Sequence, residues 1–347
     1  MVIFFELLLL QAVSVNIHIV ESNADIIFEY LFKLILSFSY NFTTVKQLYQ
    51  EYQVEPNRKK AYNILQKKRI GDKMNTYTQL ICPLCGKPLV QKEKSLICKK
   101  QHSFDIAKQG YVNLLPVQNK KSLHPGDTKD MLTARRAFLN SGIYMPICKA
   151  VTQKVKEFTK NIVNPTIVDI GCGEGFYTTA IKESVNECNC IGIDISKDAV
   201  KMACSRNKSI TWAVATAGQL PVASNSTDII TAMFSLISKE EYLRILKKGG
   251  YIIEVIAGNN HLIQLKEIIY DEVYRQDKKP AYIGEEFKEI SRTQQQFDFT
   301  LENHQLKNLL MMTPHLWRIK KENREKLEQT QSLSLTAHFW IRVLQKK

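Results

Sequence analysis

No stretch of this sequence supplies the roughly 20 uninterrupted apolar residues that a membrane-spanning helix needs. The most apolar segment, Met1 to Val20, is broken by Glu6, Gln11, Asn16 and His18. It also lacks the cationic start of a secretory signal, since no Lys or Arg precedes Lys33. Membrane and export roles are therefore disfavoured. Acidic residues are in deficit: 34 Asp and Glu face 48 Lys and Arg, a net charge of +14. One tail does not carry this excess, because residues 1–73 hold nine basic and seven acidic side chains, which leaves +12 for the rest. A basic body suits a polyanionic partner such as nucleic acid, although a solvated cationic surface has the same composition. Cysteine is scarce, at eight in 347 residues, and forms no disulfide framework.

What cysteine there is falls into a pattern. Cys82, Cys85, Cys98 and His102 are spaced C-x2-C-x12-C-x3-H. Each short turn can aim two donors at one ion, and two turns complete the tetrahedron of a structural Zn²⁺ site. Pro83 and Gly86 provide turn chemistry in the first knuckle, and Lys99, Lys100 and Gln101 fill the second with polar groups. Ordinary core packing of these thiols is the alternative. The other five cysteines, Cys148, Cys172, Cys188, Cys190 and Cys204, stand outside the pattern. A thiolate site needs a reducing compartment, so a cytoplasmic protein is expected.

The chain is long enough for about two domains. After residue 115 comes a polar connector with the turn His124-Pro125-Gly126-Asp127. A helix then carries Met131, Leu132, Ala134, Arg135, Ala137 and Phe138, capped by Asp127 or Thr128 and stopping near Gly142. Beyond it, apolar runs alternate with helical stretches. Thr166–Ile170, Cys190–Asp194, Thr211–Ala215, Asp228–Phe234 and Tyr251–Ile256 read as buried strands. Phe176–Val185, Lys197–Ser205 and Lys239–Leu246 read as the helices between them. This predicts an α/β fold with a parallel, doubly wound sheet. Lys247-Lys248-Gly249-Gly250 reads as a helix stop before a strand. The segments Gln295–Leu301 and Leu335–Val343 are expected to close the sheet as an antiparallel hairpin.

The sequence Asp169-Ile170-Gly171-Cys172-Gly173-Glu174-Gly175 follows the first strand and opens a helix, so its glycines permit a tight turn and close approach of a ligand to the backbone. Asp194 ends the next strand, where a carboxylate can accept from both hydroxyls of a ribose. A nicotinamide enzyme and a fold that binds nothing share these features. With Gly249-Gly250 before the fifth strand, however, the set resembles the class I S-adenosylmethionine methyltransferases, in which Ala217 to Leu220 would contact the adenine. Asp169, Gly171, Gly173 and Asp194 are thus candidate cofactor residues.

A narrower resemblance rests on Cys82-Pro83-Leu84-Cys85, His102-Ser103-Phe104-Asp105, Lys108-Gln109-Gly110-Tyr111-Val112-Asn113-Leu114-Leu115-Pro116, Pro125-Gly126-Asp127, Ala134-Arg135-Arg136-Ala137-Phe138-Leu139 and the glycine motif. Together these resemble the bacterial 23S ribosomal RNA guanine-N1 methyltransferases. The resemblance implies a small N-terminal zinc-binding domain joined to a Rossmann-like class I methyltransferase sheet. Its cofactors would be S-adenosylmethionine and Zn²⁺, and its partner 23S ribosomal RNA. Cys82, Cys85, Cys98 and His102 would hold zinc, while Tyr144, Gly173, Glu174 and His261 would contact S-adenosylmethionine. The expected domains are residues 74–115 for zinc, 116–150 for the connector and helix, and 151–347 for methyl transfer. A homodimer is compatible with the sequence, and no membrane partner is expected. Residues 1–73 lie outside the resemblance. Gly71-Asp72 codons can spell the purine-rich GGAGA of a ribosome-binding site, so translation from Met74 is expected, and intact mass is the check.

One stretch departs from the family. Where a Tyr-Ala-Pro-like segment is expected beside the reaction centre, the chain has Phe234-Ser235-Leu236. The aromatic ring is kept and the proline-bound turn is not, which affects the choice of nucleotide. No Asn-Pro-Pro-Tyr motif is present, which argues against methylation of an exocyclic amine on adenine or cytosine. His261 is a candidate base for the N1 proton, or simply a wall residue. Phe234 and Trp317 are candidate base-stacking groups, with Trp317 expected in the core. Two other classes remain open: an RNA-binding zinc protein with an inactive methyltransferase fold, and a methyltransferase for protein or small molecules.

Overall fold

Burial of both faces is what makes the central strands nearly continuous in apolar residues, and the computed structural model shows this directly. It describes residues 77, 79–119, 126–185, 187–235, 237–273 and 283–347. Met74, Pro125 and Leu236, on which sequence expectations fell, lie outside the described residues. The chain divides into two units, residues 1–73 and 74–347; the following concerns the second.

Its first part is a small antiparallel sheet of β1 (Leu89–Lys92), β2 (Ser95–Cys98) and β3 (Ser103–Asp105). The next strand, β4 (Tyr111–Asn113), leaves that sheet and pairs in parallel with β7 (Thr211–Val214), register Tyr111↔Trp212. It thereby joins an eight-stranded sheet with β5 (Thr166–Ile170), β6 (Asn189–Asp194), β8 (Thr227–Met233), β9 (Leu246–Ala257), β10 (Phe287–Glu302) and β11 (Ser332–Lys346). The order is β10-β11-β9-β8-β5-β6-β7-β4. The strands from β9 to β4 are parallel, and β11 runs antiparallel to both its neighbours. Reversal of order at β5 places a crevice at the C-terminal ends of β5 and β8, where α/β sheets bind ligands.

The helices are α1 (Lys129–Asn140), α2 (Met145–Thr159), α3 (Phe176–Ser184), α4 (Lys197–Arg206), α5 (Lys239–Ile245), α6 (Ile263–Ile269), α7 (Asn303–Met311) and α8 (Lys321–Gln329). Of the two caps expected for α1, Thr128 serves: its hydroxyl accepts from the Met131 N–H at 3.3 Å. Asp127 instead pairs with Arg135 at 2.6 Å.

Alternate residues of β5 serve opposite faces. Ile167 joins a core with Ile147, Val151 and Ile181, while Val168 and Ile170 join another with Leu80, Leu89, Leu96 and Tyr242. The zinc module therefore covers part of one sheet face as a helix would, fastened by a bridge between Leu80 and Val222.

Two sequence readings need correction. Lys247–Gly250 is no terminator between helix and strand; it lies within β9. The register passes from Thr227↔Leu246 to Ile229↔Tyr251, so these residues loop out opposite Asp228. Gly249 has φ +77°, which glycine tolerates, and Lys247 reaches the Asp228 carboxylate at 2.8 Å. The closing strands pair along their length from Phe287↔Lys346 to Glu302↔Ser332, yet α7 and α8 separate them, so no tight hairpin turn exists. No helix of the described residues is long and apolar enough to cross a membrane.

Candidate functional site

Two knuckles assemble the metal centre. In the first, Gly86 N–H and Cys85 N–H return to the Cys82 carbonyl at 2.8 and 3.4 Å; in the second, Gln101 N–H returns to Cys98 at 2.9 Å. These turns bring the donor atoms of Cys82, Cys85, Cys98 and His102 within 4.8 Å of one another. Cys85 Sγ lies 3.7 Å from Cys98 Sγ, and His102 Nδ1 lies 3.4 Å from Cys82 Sγ and 3.5 Å from Cys98 Sγ. A tetrahedron with thiolates about 2.3 Å from its centre has edges of about 3.8 Å. The donor set and its spacing fit Zn²⁺. Around it Lys87, Lys92, Lys94, Lys99, Lys100 and Lys108 are exposed.

The second site is a cavity of about 390 Å³ at the C-terminal ends of β5 and β8. Its floor is the glycine loop. Gly171 has φ +75°, and a Cβ there would meet the Ser235 Cβ at 2.6 Å, so only glycine fits between the loop and the end of β8. Gly173, at φ +54°, has nothing within 4 Å of a hypothetical Cβ, which leaves its backbone open to a ligand. Its N–H donates to Asp194 Oδ2 at 2.8 Å, while Asp194 Oδ1 accepts from Ser196 N–H at 2.8 Å. Burial raises the Asp194 carboxyl above its ordinary range.

The structure gathers six of the seven expected cofactor residues, Tyr144, Asp169, Gly171, Gly173, Glu174 and His261, on one wall system. Asp194 stands directly behind Gly173. Their side chains differ in what they offer. Asp169 is fully buried, and its oxygens accept from the hydroxyls of Thr178 and Thr231, which ties the loop helix to β8. Burial pushes its carboxyl up to about 6. Glu174 is 1% exposed, and its carboxylate is held by Arg136 at 2.8 Å and Arg206 at 2.5 Å, so it presents backbone to the cavity. Tyr144 packs edge-on against Phe138 and Phe339, at 4.9 and 5.3 Å between centroids. His261 lies 4.5 Å from the Phe339 ring. Burial, aided by the positive charges of Lys266, His315 and His338, pushes its imidazole down to about 3.

Ala217 to Leu220 are not on this wall. Gln219 Nε2 instead donates to the Pro83 carbonyl of the first knuckle at 2.8 Å. Trp317 is not core: it is 71% exposed. Phe234 lines the cavity at 45% exposure with φ +56°, a strained conformation for a bulky residue. Among the wall residues that sequence reasoning missed, Arg135 and Tyr177 stand out. Arg135 Nε and Tyr177 Oη are buried without a hydrogen-bond partner, so the wall holds donors that a ligand can satisfy. Arg135 was visible in sequence as part of a helix pattern and of the family-like run Ala134–Leu139, with no role in the site assigned to it.

Comparisons with known proteins agree with this arrangement. Residues 80–123 match the family described as RlmA, N-terminal, a zinc ribbon, and residues 167–250 match the methyltransferase domain family. The 23S rRNA (guanine(748)-N(1))-methyltransferase of Streptomyces fradiae is 28% identical over 247 residues, covering 70% of this chain and 87% of that protein. A Bacillus subtilis protein provisionally named as a 23S rRNA (guanine-N(1)-)-methyltransferase is 28% identical over 274 residues, 75% of this chain and 94% of its own. A Micromonospora griseorubida protein with the same provisional name is 32% identical over 203 residues, 54% of this chain and 68% of its own. With a zinc ribbon, a class I methyltransferase sheet and this likeness joined in one chain, the protein belongs to the 23S ribosomal RNA guanine-N1 methyltransferase family.

Proposed function

We propose that this protein methylates N1 of a guanine in a hairpin of 23S ribosomal RNA, with S-adenosylmethionine as methyl donor, in the cytoplasm. The observation that carries this reading is the cavity. It has an open glycine backbone on its floor, unsatisfied donors in one wall and a half-exposed aromatic ring at its rim.

S-adenosylmethionine supplies an electrophilic methyl group on a sulfonium. The chain's own residues then have three tasks. Asp194, beside the Gly173 backbone, is placed to accept from a ribose, and Arg135 with Tyr177 offers donors to a carboxylate. Tyr144 and His261 supply apolar and aromatic wall. Phe234 offers a π-face at the rim on which a base removed from its stack can rest. A base so held is aligned for in-line displacement, in which the N1–methyl bond forms as the sulfur–methyl bond breaks and the N1 proton leaves to water; alignment supplies most of the rate.

His261 suits a wall role better than that of general base. With its conjugate acid at about 3, it holds a proton too weakly to take one from a ring N–H. Asp169 and Glu174 have their oxygens engaged by hydroxyls and guanidiniums, which supports catalysis chiefly by positioning. The exposed lysines of the zinc module supply phosphate contacts beside the cavity-bearing sheet.

The test is incubation with methyl-labelled S-adenosylmethionine and 23S ribosomal RNA, followed by digestion to nucleosides. Label in 1-methylguanosine supports the reading. Label in another nucleoside, or in protein alone, overturns it.

A further inference from the structure

Met312, Thr313, Pro314 and His315 form one lip of the cavity. The 3-10 turn Pro314–Trp317 continues from that lip without a buried residue. Leu316 and Ile319 pack against the core on either side, so the turn is anchored and the Trp317 ring between them is sent outward. Single exposed apolar residues are common. Trp317 differs because its indole projects from an anchored turn two residues past the cavity wall. Its exposure of 71% contrasts with 1% for Trp212 and a half-buried Trp340. Arg318, Lys320 and Lys321 follow without an intervening acid and are exposed. Lys320 is paired with Asp271 at the surface, which leaves Arg318 and Lys321 as the better placed cations for phosphate.

A guanine delivered into the cavity has left its stack, which exposes the faces of its neighbours in the strand. An aromatic ring just outside the cavity, followed by cations, matches the way proteins hold single-stranded RNA: the bases stack and the backbone is neutralised. Resting on the methyltransferase reading above, we propose that Trp317 is the stacking platform for a nucleobase adjacent to the target guanine. Phe234 at the rim serves the target itself and Trp317 serves its neighbour. Trp317 is thus a positioning residue for the RNA, apart from the cofactor.

The experiment uses the full chain and a protein-free 23S ribosomal RNA fragment spanning the guanine that the wild type methylates. Because Trp212 is buried and Trp340 half-buried, acrylamide quenching of tryptophan emission reports mainly on Trp317. RNA binding is expected to protect that accessible component, and Trp317→Phe to remove it. Trp317→Ala is expected to weaken RNA binding by about 5- to 150-fold, the worth of one base–aromatic stack. Trp317→Phe should recover most of the loss, with S-adenosylmethionine affinity and melting midpoint unchanged in both variants. An Ala variant that binds RNA as tightly as the wild type, or an indole that stays open to quencher in the complex, overturns the proposal. A wild type that methylates no RNA instead overturns the reading on which it rests.

Discussion

Replacing Glu174 with alanine removes the centre of a network that joins the glycine loop to two helices. The carboxylate, 1% exposed, receives Arg136 Nε at 2.8 Å, Arg206 Nε at 2.5 Å and Arg206 Nη2 at 2.8 Å. The guanidiniums continue outward. Arg136 donates to the Met202 carbonyl at 2.8 Å and to Ser205 Oγ at 3.2 Å, and Arg206 donates to Asn140 Oδ1 at 2.8 Å. Breaking a buried ion pair from one side costs about 3–5 kcal/mol. Here both arginines keep some access to water, at 28% and 17%, so the loss is reduced to about 2–4 kcal/mol. For a chain of 347 residues that lowers Tm by about 3–5 °C. Cofactor affinity should fall as well, because the loop that carries Gly173 loses its tether. Thermal unfolding and calorimetric titration with S-adenosylmethionine read the two effects. If the carboxylate served the cofactor directly, affinity would collapse while stability held; a Tm within 1 °C of the wild type would refute the tether.

Asp194→Asn should weaken S-adenosylmethionine binding by about 10- to 100-fold, the loss of one or two hydrogen bonds to a charged acceptor. It also turns an amide donor toward the Gly173 or Ser196 N–H, and equilibrium binding is the check. His261 predicts a pH effect. Its folded pKa of about 3 lies below the ordinary 6.5, so the folded state resists protonation. The resulting stability is complete above pH 6.5 and is lost as pH falls toward 3, by up to about 5 kcal/mol. His261→Asn should therefore flatten the decline between pH 6.5 and 4 in urea titrations; an unchanged slope would contradict the assignment. Gly192→Ala would place a Cβ 2.2 Å from Trp212 Cζ3 in a packed core, for a loss of about 3 kcal/mol seen as an earlier melt. Removing zinc with a chelator should release one ion per chain and melt the β1–β3 module. RNA affinity should fall while S-adenosylmethionine binding persists; retained RNA affinity would separate the module from recognition.

What the sequence disclosed follows from range. Cys82, Cys85, Cys98 and His102 are local in two short knuckles, so spacing alone announces them. Strands β5 to β8 are buried on both faces, and that burial writes itself into the sequence as apolar runs. The hidden features are long-range or turn on direction. Arg206 is 32 residues from Glu174, and nothing local couples them. β4 leaves the zinc segment to pair with β7 about 100 residues on, which three residues of sequence do not signal. Gly249-Gly250 suggests a stop but works as a loop-out inside β9, because strand pairing resumes at Tyr251. Trp317 looked like core because an aromatic residue carries no mark of which way its turn faces.

The central claim is methylation at guanine N1, and that atom is on the Watson–Crick edge. Reverse transcription across 23S ribosomal RNA from a strain lacking this gene, before and after treatment with the protein and S-adenosylmethionine, reads it at single-nucleotide resolution. The account predicts a new stop immediately 3′ of one loop guanine, dependent on the cofactor and weakened by Asp194→Asn when the cofactor is limiting. Unblocked read-through of RNA that has nonetheless acquired methyl label would place the group off the pairing edge and contradict the account.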